Sequence, residues 1–208
     1  MTENTKELRD SCGVFGIVAA GEWPTKLEVT ELIYLGLIAI QHRGQESSGM
    51  VTSYGEKDNM KIHRRPGLAN QAYTNADLIK LNGNLGIGHN RYSTQGGTNP
   101  LNIQPFVVHM KHAQLALAHN GQLVNAAELR REVYIFDILW VKASASTQSD
   151  SELMIQMLCQ PPPEPNNETE DKPDWPARIK FLMTKTKLAY SLVIMSEDRI
   201  YAVRDPFD

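Results

Sequence analysis

The chain has 208 residues, a net charge of −3 and a pI of about 6.1, with 41% hydrophobic and 22% charged residues. That composition suits one globular domain and excludes a disordered chain; Arg64-Arg65 and Arg130-Arg131 are isolated pairs, too little basic charge for a nucleic-acid footprint. No apolar run approaches the roughly 18 residues of a membrane span, and the polar residues 1–11 contain no secretory h-region, so a cytoplasmic protein with neither nucleic-acid nor membrane partners is expected.

In chain order, residues 12–20 (CGVFGIVAA) are a short apolar run with two glycines and read as a buried strand. Residues 30–40 place apolar side chains at 32, 33, 35, 37, 38 and 40, the pattern of a helix packed against something. A dense polar loop follows, HRGQES at 42–47. Residues 49–52 read as a strand, 55–59 as a turn and 75–81 as a short helix. Residues 85–94 (LGIGHNRYST) are a strand whose glycines imply close approach of another group, running into a polar loop and the flexible turn QGGTN. Residues 114–118 form a strand ending at His119-Asn120-Gly121, a hairpin signal. Residues 124–133 are helical, and 134–141 are ambiguous between strand and buried helix. Residues 149–159 form a helix opened by the capping box Ser149-x-x-Glu152. A Pro-, Glu- and Asn-rich loop covers 160–176, a helix 175–187, and two strands, 189–195 and 199–203, flank a short turn. Short strands mixed with amphipathic helices in this order imply an α+β layered domain.

Two cysteines far apart, Cys12 and Cys159, are neither a disulfide framework nor a metal-ligand set. Cys159 lies on an apolar helix face and reads as core. A cysteine such as Cys12, at the start of an apolar strand, is more often core than catalytic. Here two glycines leave room beside it, and a polar leader of residues 1–11 precedes it. Cleavage after Ser11 would give Cys12 a free α-amine with a pKa of about 7.7–8.0, a base carried by the nucleophile itself. The turn Asn120-Gly121 could offer an amide side chain and a backbone N–H to an oxyanion. Arg91 could clamp a carboxylate and Asp150, in a first helical turn, an ammonium. Arg43 could orient a site near Cys12. No histidines adopt a close metal-ligand spacing.

Together and in order, these blocks resemble the N-terminal glutaminase domain of the amidophosphoribosyltransferases: CGVFGI at 12–17, GEWPT at 21–25, HRGQESSGM at 42–50, LGIGHNRYST at 85–94, QPFVV at 104–108, AHNGQLVNAAELR at 118–130, SDSE at 149–152 and YAVRDP at 201–206. The resemblance implies an N-terminal-nucleophile hydrolase fold, a four-layer αββα sandwich, with a propeptide over 1–11 and a glutaminase domain over 12–208. It implies Cys12 as nucleophile, Asn120 and Gly121 as oxyanion hole, Arg91 on the glutamine α-carboxylate and Asp150 on its α-ammonium. Arg43 would support the site, and Tyr92, Ser93 and Thr94 would start a loop closing over glutamine. The family passes the ammonia to phosphoribosyl pyrophosphate on a second, phosphoribosyltransferase domain, the committed step of purine synthesis. That domain, with the magnesium and the 4Fe-4S cluster of full-length members, is expected to be missing here, so no cofactor is expected in this chain. The pattern is also compatible with a homo-oligomer.

The sequence departs from the family at two places. Asp208 stands where the family continues R-D-P-x-G, and residues 134–145 are longer and more apolar than the usual segment before SDSE. A catalytically incompetent fragment acting as a binding or regulatory subunit is the alternative from another class. Other class-II amidotransferases share CG-x-x-G and H-N-G but lack the HRGQES wording.

Overall fold

The computed structural model describes residues 12–19, 28–57, 59–92, 99–111, 113–139 (134–139 for backbone only), 149–163, 169, 172–187 and 189–206. The expected leader, GEWPT, Ser93, Thr94, most of the QGGTN turn and residues 140–148 lie outside them.

Among the described residues two four-stranded antiparallel sheets form the centre. The first is ordered β1 (Gly13–Val18), β4 (Leu85–Arg91), β2 (Ser47–Ser53), β3 (Lys61–Pro66). The second runs β5 (Phe106–His109), β6 (Gln114–Gly121), β7 (Tyr190–Met195), β8 (Ile200–Arg204). Strand periodicity decides which side chains meet. In β4, Leu85 and Ile87 point into the gap between the sheets, where they pack with Val51, Ala116, Ala118 and Met195. The alternate residues Gly86 and Gly88 face outward and leave space that Ile33 and Leu37 of helix α1 (Val29–Ala39) occupy. A methyl group on Gly86 would sit 2.5 Å from Ile33 Cδ1, so the strand glycines do mark a close approach.

Helices cover both outer faces. On the first sheet, α1 buries Val29, Ile33 and Leu37, one face of a 3.6-residue period, beside α2 (Ala69–Ala72) and α3 (Asn75–Lys80). Thr74 and Asp77 form a full capping box at the start of α3. On the second sheet, α5 (Asp150–Leu158) lies between α4 (Ala126–Leu139) and α6 (Trp175–Lys185). Every residue of α5 after Asp150 is buried, and Arg178 of α6 donates from Nη1 to the Leu158 carbonyl at 2.9 Å, meeting a C-terminal acceptor of that helix. The layers are therefore αββα. Among the described residues no helix is long and apolar enough to cross a membrane.

Several sequence expectations are corrected. The strand at 12–20 is an edge strand rather than a buried one: among the described residues β1 pairs only with β4, and Val18 is half exposed. The ambiguous stretch from Tyr134 continues α4 as helix to Leu139. Strands β3 and β5 and the short α2 carry no clear apolar period in sequence and escaped notice. Asn120-Gly121 is not a hairpin turn; both residues extend β6 and pair with Ser191 and Tyr190 of β7. A hairpin would return at once to a neighbouring strand, whereas this chain runs on to α4. The box at Ser149 does not form: Ser149 is the N-cap of α5, but its side chain makes no capping hydrogen bond. Cys159 is the C-cap of α5 and only partly buried, with Sγ 3.3 Å from the Ile155 carbonyl.

Candidate active site

Register brings the predicted residues to one end of the sandwich. Gly13 pairs with Asn90, so Cys12 stands across from Arg91 at the end of the β1–β4 ladder. Strand alternation turns both side chains toward the gap between the sheets, on the side Val14 and His89 share. The second sheet is levelled against the first by His89, whose Nε2 lies 3.0 Å from the main-chain oxygen of His119. The residues following each, Asn90-Arg91 and Asn120-Gly121, therefore end their strands at the same end of the molecule. Asn120 shares the inward face with Ala116 and Ala118.

The backbone at this end is arranged by Gln104, which sequence reading passed over. β5 begins at Phe106, opposite Leu117, and does not reach His119. The Gln104 side chain completes the ladder instead: its Oε1 accepts the His119 N–H at 2.7 Å and its Nε2 donates to the His119 carbonyl at 3.4 Å. The His119 backbone groups therefore point away from β7. By strand alternation the Gly121 N–H points to that same side, past the start of β5. Gly121 has φ 135°, and a methyl group there would lie 2.5 Å from the Ala189 carbonyl oxygen, so only glycine fits.

Around Cys12 the polar loop after α1 closes in. Arg43 donates from Nε to the Cys12 carbonyl at 3.0 Å. The Cys12 thiol lies a long 3.8 Å from the Tyr92 carbonyl. Arg91 Nη1 is 3.1 Å from Glu46 Oε1. Burial pushes the Cys12 thiol above its ordinary pKa; the positive charges of Arg91 and Arg43 pull it down and Glu46 pushes it up. The thiol is thus protonated at neutral pH and needs a base to react.

The two histidines here are not that base. Burial lowers His89 to a pKa of about 3 and His119 to about 4, leaving both neutral. His89 must carry its proton on Nε2 to meet a carbonyl, and the His119 ring turns outward, with Nδ1 3.0 Å from Ser151 Oγ on α5.

Asp150 opens α5, and its Oδ2 accepts the Leu123 N–H at 2.9 Å, fixing the carboxylate two residues beyond Gly121. Burial raises the Asp150 pKa, against the Leu123 N–H and the charge of Arg130. Cys12, Arg43, Tyr92, Arg91, Asn120, Gly121 and Asp150 therefore share one end. Glu46 and Gln104 belong with them and were not singled out from sequence. An open cleft of about 500 Å³, lined by Gln114, Trp175, Glu197, Arg199 and Tyr201 among others, lies at the opposite end of β6. This chain holds two cysteines, fewer than the four thiolates a 4Fe-4S cluster takes, so it cannot ligate such a cluster by itself.

No protein-family model matches the chain. It is 52% identical over 202 residues to the amidophosphoribosyltransferase of Homo sapiens, covering 96% of this chain and 38% of that protein. To the amidophosphoribosyltransferase of Drosophila melanogaster it is 50% identical over 201 residues, covering 96% and 36%. The glutamine phosphoribosylpyrophosphate amidotransferase of B. subtilis, solved with ADP and GMP, superposes with a TM-score of 0.74 at 31% identity, over 93% of this chain and 37% of that one. The chain thus spans little more than a third of the length of the relatives it matches. Over nearly its whole length it is similar to the N-terminal part of these enzymes, and its fold is theirs, the N-terminal-nucleophile hydrolase sandwich.

Proposed function

We propose that this chain, like the N-terminal part of the amidophosphoribosyltransferases it matches, is the glutamine-hydrolysing unit of such an enzyme, with Cys12 as its nucleophile. The observation that carries the reading is the placement of Cys12 opposite Arg91 at the end of the sandwich where β6 also ends with Asn120-Gly121. Removal of residues 1–11 frees the Cys12 α-amine. That amine takes the thiol proton, and the thiolate sulfur attacks the side-chain amide carbon of glutamine. The charge developing on the amide oxygen is met by the Asn120 side-chain amide and the Gly121 N–H. The C–N bond breaks, the amine returns its proton to the leaving nitrogen, and ammonia departs from a γ-glutamyl thioester. Water then cleaves the thioester to glutamate and restores the thiol.

Substrate orientation falls to two charges. Arg91 pairs with the α-carboxylate and Asp150 with the α-ammonium. Arg43, bonded to the Cys12 carbonyl, keeps the nucleophile from swinging out. Tyr92 to Thr94 begin the segment that closes over glutamine. In the complete enzyme the ammonia reaches phosphoribosyl pyrophosphate on a further domain, giving 5-phosphoribosylamine, glutamate and pyrophosphate. Magnesium and the iron–sulfur cluster serve that larger protein, in the cytoplasm.

The test is ammonia release from glutamine by the processed chain and by Cys12→Ala. The variant should lose all activity and keep its thermal midpoint. Undiminished hydrolysis would remove Cys12 from the reaction.

A further inference from the structure

We propose that Glu46 is a positioning residue for glutamine: its carboxylate holds the Arg91 guanidinium in the orientation that receives the substrate's α-carboxylate. The inference rests on the glutamine-hydrolase reading and adds a residue to it. Glu46 is fixed at both ends of its own backbone. Its N–H donates to the Arg91 carbonyl at 2.9 Å, and its carbonyl accepts the Gly67 N–H at 2.7 Å. The two residues are thereby locked side by side, and their side chains meet at 3.1 Å, with side-chain exposures of 14% for Glu46 and 22% for Arg91.

The pairing is single-pointed. Glu46 Oε1 takes Nη1, while Oε2 is buried without a hydrogen-bond partner. A guanidinium has five N–H donors in a fixed plane. Held through one nitrogen, it keeps its remaining donors for a second carboxylate, and its plane is set before that carboxylate arrives. Preorganisation of this kind lowers the cost of ordering the clamp on binding. Without Glu46, Arg91 would be a partly buried cation beside the Cys12 thiol, drawn toward the thiolate as it forms rather than toward the substrate.

The measurement is the rate of Cys12 alkylation, followed by intact mass, with two reagents: the diazoketone analogue of glutamine, and the same diazoketone lacking the α-carboxylate. Glu46→Gln keeps the volume of the side chain and removes its charge; Glu46→Ala removes both. Glu46→Gln should slow the glutamine analogue by about tenfold, through weaker saturation rather than a lower maximal rate, and leave the decarboxylated reagent within about twofold. Glu46→Ala should slow the first reagent further. Arg91→Ala should erase the wild type's preference between the reagents. Equal slowing with both would assign Glu46 to the fold or the thiol and overturn the proposal. Faster alkylation in Glu46→Gln would mean that Glu46 competes with the substrate for Arg91, and would overturn it too. Failure of the glutamine analogue to label wild-type Cys12 would overturn the glutamine-hydrolase reading itself, and the proposal with it.

Discussion

The His89 ring spans the gap between the sheets, with Nε2 3.0 Å from the main-chain oxygen of His119. This contact crosses the layer in which Val51, Ile87, Ala116 and Ala118 pack, directly behind the candidate site. It ties the strand that carries Arg91 to the strand that carries Asn120 and Gly121. His89→Phe keeps the ring volume and leaves the His119 carbonyl with the Gln104 amide alone. Losing one hydrogen bond to an acceptor that keeps a second partner costs about 0.5–1.5 kcal/mol. Thermal unfolding should show a midpoint lowered by several degrees, and glutamine turnover should fall more than that loss of stability explains. An unchanged midpoint with unchanged turnover would mean the sheets are levelled by apolar packing alone.

Both histidines also set a pH dependence. Burial depresses His89 to about 3 and His119 to about 4, below the roughly 6.5 of an unfolded histidine. Below pH 6.5 the unfolded chain binds protons that these folded imidazoles do not, so stability is full above about pH 6.5 and declines as pH falls toward their folded values. Urea unfolding at pH 7, 6 and 5 should show that decline, and His89→Phe should make it shallower. Equal slopes in the two proteins would mean that His89 is not held neutral.

Gly121→Ala tests the end of β6. The substituent meets the Ala189 carbonyl, and φ 135° is strained for any side chain. Such strain costs about 1–3 kcal/mol. At roughly 2–4 °C per kcal/mol for a chain of this size, the midpoint should drop measurably. Glutamine hydrolysis should drop much further, because the N–H proposed to meet the oxyanion moves with the strand. Normal hydrolysis in a destabilised variant would place the oxyanion elsewhere.

Asp150→Asn separates binding from architecture. The asparagine oxygen can still accept the Leu123 N–H, so the start of α5 should stay in place. The charge is gone, and KM for glutamine should rise roughly 10- to 100-fold, the value of a charge-assisted bond, with the midpoint unchanged. An unaltered KM would mean that the substrate ammonium is held by another group.

Much of this site was legible because its chemistry sits in short runs at strand ends. Gly86 and Gly88 announced the approach of α1, and the residues after them carry His89, Asn90 and Arg91. Cys12 and Asp150 stand out in the sequence by residue type and position, and both reach the same end of the molecule. What sequence could not show depends on partners distant in the chain. Gln104 acts by completing a ladder for His119, and Glu46 by standing beside Arg91, 45 residues away. Neither role leaves a local period or spacing. Asn120-Gly121 misled because its turn propensity is real in isolation; here β7 pairs with it and the tertiary sheet overrides the local preference. Ser149 misled in the same way, since a capping pattern names a candidate acceptor without fixing where its side chain turns.

The most direct measurement is the intact mass of the purified chain before and after exposure to the diazoketone analogue of glutamine. A chain that has lost residues 1–11 and gains one adduct, mapped to Cys12, is the predicted result; it would join processing, nucleophile and glutamine pocket in a single observation. A chain that keeps residues 1–11 and takes up no reagent would contradict the assignment of Cys12, and leave the fold as a scaffold for binding rather than hydrolysis.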